Sequence, residues 1–152
     1  MATETKTTPQ SYTFDIAGPY LSSGRVNIDL AKEDVLWLSL KINAEGGENA
    51  IHAHSQEEHS FIVLEGEVTF FNKDGEGTIL HKYQGIMIPK GAYYRYLNTG
   101  GENLFLLRVG AKLKAQSGDE TRLRPDGTPL PSYSAENHHI DGTPVPGKMF
   151  GA

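Results

Sequence analysis

Short runs of apolar residues alternate with polar residues through the middle of the chain. Between Tyr12 and Val109 these runs are rich in Val, Ile, Leu, Phe and Tyr, and clusters of Gly, Asn and Asp separate them. They lack the period of about 3.6 residues that an amphipathic helix shows. The segment DVLWLSLKI, residues 34–42, places apolar side chains on one face and Trp37, Ser39 and Lys41 on the other. This alternation predicts a β-strand.

Further segments of strand length follow it along the chain: NAIHAH, HSFIVLE, EVTFFN, GTILH, GIMIP, YYRYLN and NLFLLRV. The turns between them contain the Gly and Asn residues that tight connections need. So many short antiparallel strands can cover their edges only as a sandwich or a closed barrel. The sequence therefore predicts an all-β fold, a jelly-roll β-barrel.

Composition divides the chain into three parts. Residues 1–11 are polar and have no periodicity, so we expect a flexible N-terminus. Residues 12–111 contain the predicted strands and form the barrel. Residues 112–152 are rich in Pro, Gly and polar residues, and we expect an extended C-terminal tail that packs on the barrel or on a partner subunit.

Charge and composition narrow the range of partners. The 152 residues carry a formal net charge of −5 at pH 7, without a cluster of Lys or Arg, so we expect no nucleic acid and no membrane surface as a partner. No apolar run approaches the roughly 20 residues of a membrane span, and the first ten residues have neither the basic nor the apolar region of a secretory leader. We therefore expect a cytoplasmic location. The chain has no cysteine, which leaves His, carboxylate and Tyr side chains as metal ligands. The expected partner is a small molecule.

Half of the six histidines lie in one stretch, NAIHAHSQEEHSFIVLEG, residues 49–66. If AIHAH is a strand, His52 and His54 project from the same face and both imidazoles can reach one metal ion. The next strand is predicted to begin near Glu58. Strand alternation lets only one of Glu58 and His59 point inward with the first two histidines, and periodicity does not choose between them.

In this histidine-rich stretch and in a second motif further along the chain, the sequence resembles a small single-domain cupin of the cupin 2 type. The first cupin motif is matched by Gly46, the HAH sequence at residues 52–54, the acidic region after it and Gly66. The second motif is matched by PKGAYYRYLN, with Pro89, Gly91 and Asn98 in register. The resemblance covers roughly residues 43–109, and it implies a cupin-type jelly-roll barrel.

The resemblance also implies a metal site. His52 and His54 match the two histidine ligands of the family. The spacing favours His59 as the third ligand, where cupins usually have Glu, and the shorter spacing that the family tolerates gives Glu58, which is also a candidate general base. Tyr94 takes the place of the usual fourth ligand, a histidine. It is either a metal ligand or, as an alternative, a hydrogen-bond donor, because a Tyr with its ordinary pKa of about 10 binds a metal weakly at neutral pH.

Four further side chains are candidates for substrate binding. Tyr96 and Asn98 lie on the same face of the predicted strand as Tyr94, so they are predicted to line the barrel. Phe61 lies on the same face of its strand as His59 and is the third candidate. Arg108 either points inward and binds a substrate carboxylate, or points outward into a surface salt bridge.

The implied cofactor is one divalent transition metal per subunit. Fe(II) is favoured, and Zn, Ni, Mn or Cu are possible, because imidazole suits these ions better than Mg or Ca. Resemblance to small cupins implies a dioxygenase that acts on a small anionic substrate, enolisable or phenolic. The alternatives are a redox-neutral isomerase, lyase or decarboxylase and a cupin that binds a small molecule without turnover. Family analogy also predicts a homodimer.

Overall fold

Twelve strands form in residues 8–113 and 119–151, the part of the chain that the computed structural model describes. They are β1 (Gly18–Ser23), β2 (Arg25–Lys32), β3 (Leu36–Asn43), β4 (Gly47–His54), β5 (Glu57–Glu65), β6 (Val68–Phe71), β7 (Gly77–Leu80), β8 (Gly85–Ile88), β9 (Tyr94–Asn98), β10 (Leu104–Lys112), β11 (Arg122–Leu123) and β12 (Thr143–Phe150). Single 3-10 turns occur at Asp119–Thr121 and Ala135–Asn137. No helix in these residues is long and apolar enough to cross a membrane.

The strands form two antiparallel five-stranded sheets and one antiparallel pair. The first sheet has the order β2-β3-β10-β5-β8, the second has the order β11-β4-β9-β6-β7, and β1 pairs with β12. Buried side chains from both large sheets pack together, among them Phe61 and Leu106 of the first sheet and Phe70 of the second. The predicted all-β jelly-roll barrel is confirmed. The strands predicted from alternation correspond to β3 through β10.

A second apolar core lies outside the barrel. Leu40, Ile42 and Phe105 project from the outer face of the first sheet and pack with Leu21 of β1. Phe150 of β12 stacks on Phe105, with ring centroids 4.4 Å apart. Because β1 and β12 cover this face, the apolar side of β3 points away from the barrel. Its polar side, which carries Ser39, Lys41 and Asn43, therefore points into the barrel, where all three side chains are buried.

The C-terminal segment folds back on its own barrel in the structure. Arg122 of β11 pairs with His54 of β4, and the side chain of Leu130 is fully buried. The buried Asn137 accepts a hydrogen bond from the backbone N–H of Ala50. Packing of this segment on a partner subunit, and the homodimer, stay predictions. Residues 1–7, which belong to the predicted flexible N-terminus, and residues 114–118 and 152 of the predicted tail lie outside the described residues.

Replacing Leu130 with Ala tests this docked position. We expect the free energy of unfolding to fall by about 2 to 3 kcal/mol, because the substitution leaves a cavity under the segment. Urea unfolding of the full chain measures the loss. Ile140→Ala is the matched control, since Ile140 belongs to the same segment but is 54% exposed, and it should cost less than about 0.5 kcal/mol. Small, equal losses in both variants would contradict the docking.

Candidate metal centre

The turn between β4 and β5 brings three possible metal ligands together. His54 ends β4, and Glu57 and His59 begin β5, where alternation turns both of their side chains inward. Glu57 Oε2 lies 2.8 Å from His59 Nε2 and 3.3 Å from His54 Nδ1. The three donor atoms lie within 4.8 Å of one another, and all three residues are buried. A carboxylate and two imidazoles therefore converge on one point.

Burial keeps both imidazoles in the form that binds metals. It lowers the pKa of His59 to about 4, and the neighbouring Arg108 charge adds to this effect although Glu57 opposes it. Burial also lowers the pKa of His54 far below its usual value, with contributions from His59 and Arg108. At neutral pH both rings are thus uncharged. His54 Nδ1 is buried and makes no hydrogen bond within the described part of the chain, and such an atom beside a carboxylate fits a metal ion.

His52 shares the inner face of β4 but makes different contacts. Its ring centroid lies 5.1 Å from that of His54, yet its Nε2 faces Glu48 Oε2 at 3.2 Å. Its Nδ1 donates a hydrogen bond of 2.8 Å to the carbonyl of Ala50. The other oxygen of Glu48 forms a buried ion pair with Lys41. The structure therefore places His52 beside the three-residue cluster, in a chain of contacts from Lys41 through Glu48 to His52 that no sequence pattern indicated.

Glu58 requires a correction. Its side chain is exposed on the outer face of β5, where Glu58 pairs with Ala111 of β10. It can neither join the cluster nor act there as a general base, because its neighbours Glu57 and His59 occupy the inner face. The carboxylate of the three-residue cluster is Glu57. The sequence contained this information, since Glu57 and His59 are two residues apart, but the strand was predicted to begin one residue too late.

Tyr94 lies against both histidines of β4. Its hydroxyl oxygen is 3.4 Å from His54 Nε2, and its ring centroid is 4.5 Å from that of His52. Burial, helped by the charge of Glu48, raises its pKa well above the usual value. Without a bound ion the side chain is therefore a neutral phenol that can donate a hydrogen bond. The role of Tyr94 as a metal ligand stays a prediction.

Arg108 points into the barrel, which decides between its two predicted orientations. It shares the inner face of β10 with Leu104 and Leu106, both of which are buried in the barrel core. Its Nη2 lies 3.1 Å from Nε2 and 3.2 Å from Nδ1 of His59. The guanidinium also lines the cleft above the cluster. A substrate anion in that cleft would meet it next to the candidate ligands.

The other predicted substrate contacts serve packing and turn structure. Phe61 and Tyr96 are buried in the barrel core, with ring centroids 5.8 Å apart. Tyr96 also donates a hydrogen bond of 3.3 Å to Asn43 Oδ1. Asn98 donates hydrogen bonds from its side chain to the carbonyls of Asn43 at 2.9 Å and of Glu102 at 2.8 Å, which fixes the turn after β9. Sequence periodicity placed Phe61 and Tyr96 on the inner side correctly but could not show their depth. Substrate binding by these residues and by Asn98 stays a prediction.

Arg122 reaches the site from the C-terminal segment. Its side chain is buried, and its Nη1 donates a hydrogen bond of 3.0 Å to the carbonyl of Leu130. Its Nη2 lies 3.4 Å from His52 Nδ1. Arg122 lines the same cleft as His54 and Arg108, which has a volume of about 280 Å³. No local pattern in the sequence indicated this position, because it depends on the pairing of two distant strands.

Comparison with known families agrees with this architecture. The family model of the cupin domain matches residues 40–110, which contain the two strands that carry the cluster. This chain carries a cupin-type domain. A curated relative, the uncharacterized protein YdbB of Bacillus subtilis (strain 168), is 41% identical over 49 residues, or 32% of this chain. The aligned part spans 43% of the length of that relative.

Solved structures resemble the barrel at low sequence identity. The cupin domain of Schizosaccharomyces pombe Cnp3 superposes with a TM-score of 0.54 and 22% identity, over 60% of this chain and 67% of that chain. Pac13, described as a nucleoside dehydratase with a β-barrel, superposes with a TM-score of 0.53 and 10% identity, over 68% of this chain and 83% of that chain. Similarity at these identities establishes the fold alone.

Proposed function

We propose that this cupin is a metal-dependent enzyme whose divalent ion is held by His54, Glu57 and His59. The observation that carries the proposal is the convergence of two neutral imidazoles and one carboxylate within 4.8 Å inside the barrel. Two histidines and a carboxylate with open positions form the ligand set typical of non-haem Fe(II) oxygenases. Fe(II) is therefore the favoured ion, although Zn, Ni, Mn and Cu accept the same donors.

The favoured reaction is the oxidation of a small anionic substrate by a dioxygenase. When bound, Fe(II) supplies the redox chemistry with O₂ in such a site. Arg108, which lies beside His59 and lines the cleft, binds the negative charge of the substrate and fixes its orientation. The buried walls of the barrel exclude bulk water and so strengthen this charge interaction. An enolisable or phenolic acid suits these features.

A redox-neutral reaction is the second candidate, and Tyr94 supports it. Its neutral hydroxyl lies 3.4 Å from His54 Nε2, so it is a proton donor next to the candidate ligands. An isomerase, lyase or decarboxylase with a Lewis-acid metal needs such a donor. Binding of a small molecule without turnover is the remaining alternative.

Elemental analysis followed by oxygen measurement tests the proposal. We expect near-stoichiometric iron in freshly purified protein by inductively coupled plasma mass spectrometry, and oxygen consumption with diketones or phenolic acids. His54→Ala should lose the metal, whereas His81→Ala, a change at an exposed histidine, should retain it. Another metal, together with product formed under nitrogen, would favour the redox-neutral reaction. Absence of metal in the wild type, before and after reconstitution, would refute the metal-dependent enzyme.

A further inference from the structure

Trp37, the only tryptophan of the chain, forms one wall of the cleft above the cluster. It lies on the inner side of β3 and pairs with Gly110 of β10. A Cβ atom at Gly110 would lie 2.2 Å from the six-membered part of the indole, so the ring rests directly on the glycine backbone. The ring of His59 lies nearly perpendicular to the indole, with the ring centroids 5.8 Å apart and an interplanar angle of 83°. The indole is therefore fixed by its neighbours and forms a rigid flat wall.

Basic side chains surround the same cleft. Arg108, Lys112, Arg122 and Lys32 all line it. Within the described part of the chain its acidic residues are Asp29 and Glu57, and Glu57 is already engaged with the two histidines of the cluster. The cleft thus concentrates positive charge in a chain whose formal net charge is −5. An anion is favoured there over a neutral ligand of the same size.

The volume of the cleft limits the size of the ligand. At about 280 Å³ it lies near the lower end of the range of ligand pockets, which begins at roughly 300 Å³. A molecule with one ring and one or two substituents fits this space. Aromatic rings pack favourably against an indole in offset or edge arrangements, and a saturated ring of equal size lacks this contribution.

We propose that this cleft binds a small aromatic carboxylate, whose ring packs on Trp37 and whose carboxylate pairs with Arg108. This ligand is a substrate only if the proposed function holds, because the cleft belongs to the same site. The binding itself needs only residues of this chain. It can therefore be tested on the full-length protein without its metal.

The fluorescence of Trp37 reports on binding directly, since no other tryptophan contributes. Metal-free protein is titrated with benzoate, with cyclohexanecarboxylate as the non-planar anion and with benzamide as the planar neutral analogue. We expect a saturable change with benzoate, and affinities about tenfold weaker for both analogues. No saturable change with benzoate, or equal affinity for benzoate and either analogue, would overturn the inference.

Calorimetry on variants assigns the two contacts. Trp37→Leu and Arg108→Gln should each weaken benzoate binding by about tenfold. Arg95→Gln is the matched control, because Arg95 stacks on Phe71 away from the cleft, and it should bind benzoate as the wild type does. Unchanged binding in both test variants would overturn the inference. A protein that binds benzoate but takes up no metal would instead refute the proposed metal-dependent function and leave the inference standing.

Discussion

We expect Glu57→Gln to lower the affinity of the protein for a divalent ion by roughly a hundredfold or more, and Glu58→Gln to leave that affinity unchanged. The two residues are adjacent in sequence, but their side chains lie on opposite faces of β5. Glu57 is 7% exposed and Glu58 is exposed to solvent. Both variants therefore replace a carboxylate with an amide, once at a buried position and once at an exposed position.

The size of the effect follows from charge. His54 and His59 are uncharged because burial lowers the pKa of both rings. In this cluster Glu57 thus provides the negative charge, and its oxygen already lies 2.8 Å and 3.3 Å from the nitrogens of the two rings. An amide at this position keeps the shape of the side chain but loses the charge, so a divalent ion would face two neutral donors beside the positive Arg108.

Competition with a chromophoric chelator measures the affinities of the wild type and both variants. Circular dichroism checks that each variant retains the all-β fold. The assignment of Glu57 would be contradicted by unchanged metal affinity in Glu57→Gln, or by a larger loss in Glu58→Gln. The second result would restore Glu58 as the ligand that the shorter motif spacing suggests.

The strands β3 to β10 could be predicted because their signal is local. Each carries an alternating or continuous apolar pattern that stands out from the turns around it. β12 could not be predicted in this way. It contains Pro144 and Pro146, which argue against a strand, but it belongs to a two-stranded sheet in which such residues are tolerated.

The orientation of β3 shows a second limit of sequence patterns. Alternation separated its apolar side from the side with Trp37 and Lys41, but it did not indicate which side faces the barrel. The apolar side of this strand is covered from outside by β1 and β12, so the polar side lines the interior. The position of Lys41 and Trp37 at the site therefore depends on the C-terminal strand, which is far away in sequence.

Local patterns in the sequence likewise indicated only part of the candidate site. His54 and His59 were found because histidines at motif spacing are unusual, and Arg108 was found with its direction left open. Arg122 was missed because its place at the site results from the pairing of β11 with β4. A motif describes residues on neighbouring strands, whereas this cleft is completed by a segment outside the matched cupin domain, residues 40–110.

Glu48→Gln is expected to destabilise the protein by about 3 to 5 kcal/mol. Lys41 and Glu48 form an ion pair inside the barrel, and they are only 4% and 8% exposed. Removing the carboxylate charge leaves the ammonium group of Lys41 buried without its counter-ion. Urea unfolding of metal-free protein measures this effect, because a bound ion would otherwise add to the apparent stability.

The double variant Lys41→Met, Glu48→Leu should be more stable than Glu48→Gln, because it removes both charges and fills similar space. Glu136→Gln is the control for an ion pair at the surface. Its partner is Arg124, and the side chains of Arg124 and Glu136 are 29% and 52% exposed. The loss of stability in Glu136→Gln should therefore be below about 1 kcal/mol. If the double variant were less stable than Glu48→Gln, the pair would contribute more attraction than its burial costs, contrary to this prediction.

The pH dependence of stability provides an independent check on the cost of burying Lys41. Burial lowers the pKa of Lys41 from 10.5 to about 8, even though Glu48 opposes this shift. Between these two pH values the unfolded chain binds a proton that the folded chain has released. Stability should therefore rise with pH in this window through Lys41, and Lys41→Met should abolish that part of the rise. An unchanged profile in Lys41→Met would show that the buried ammonium costs the fold little, and the large loss predicted for Glu48→Gln would lose its physical basis.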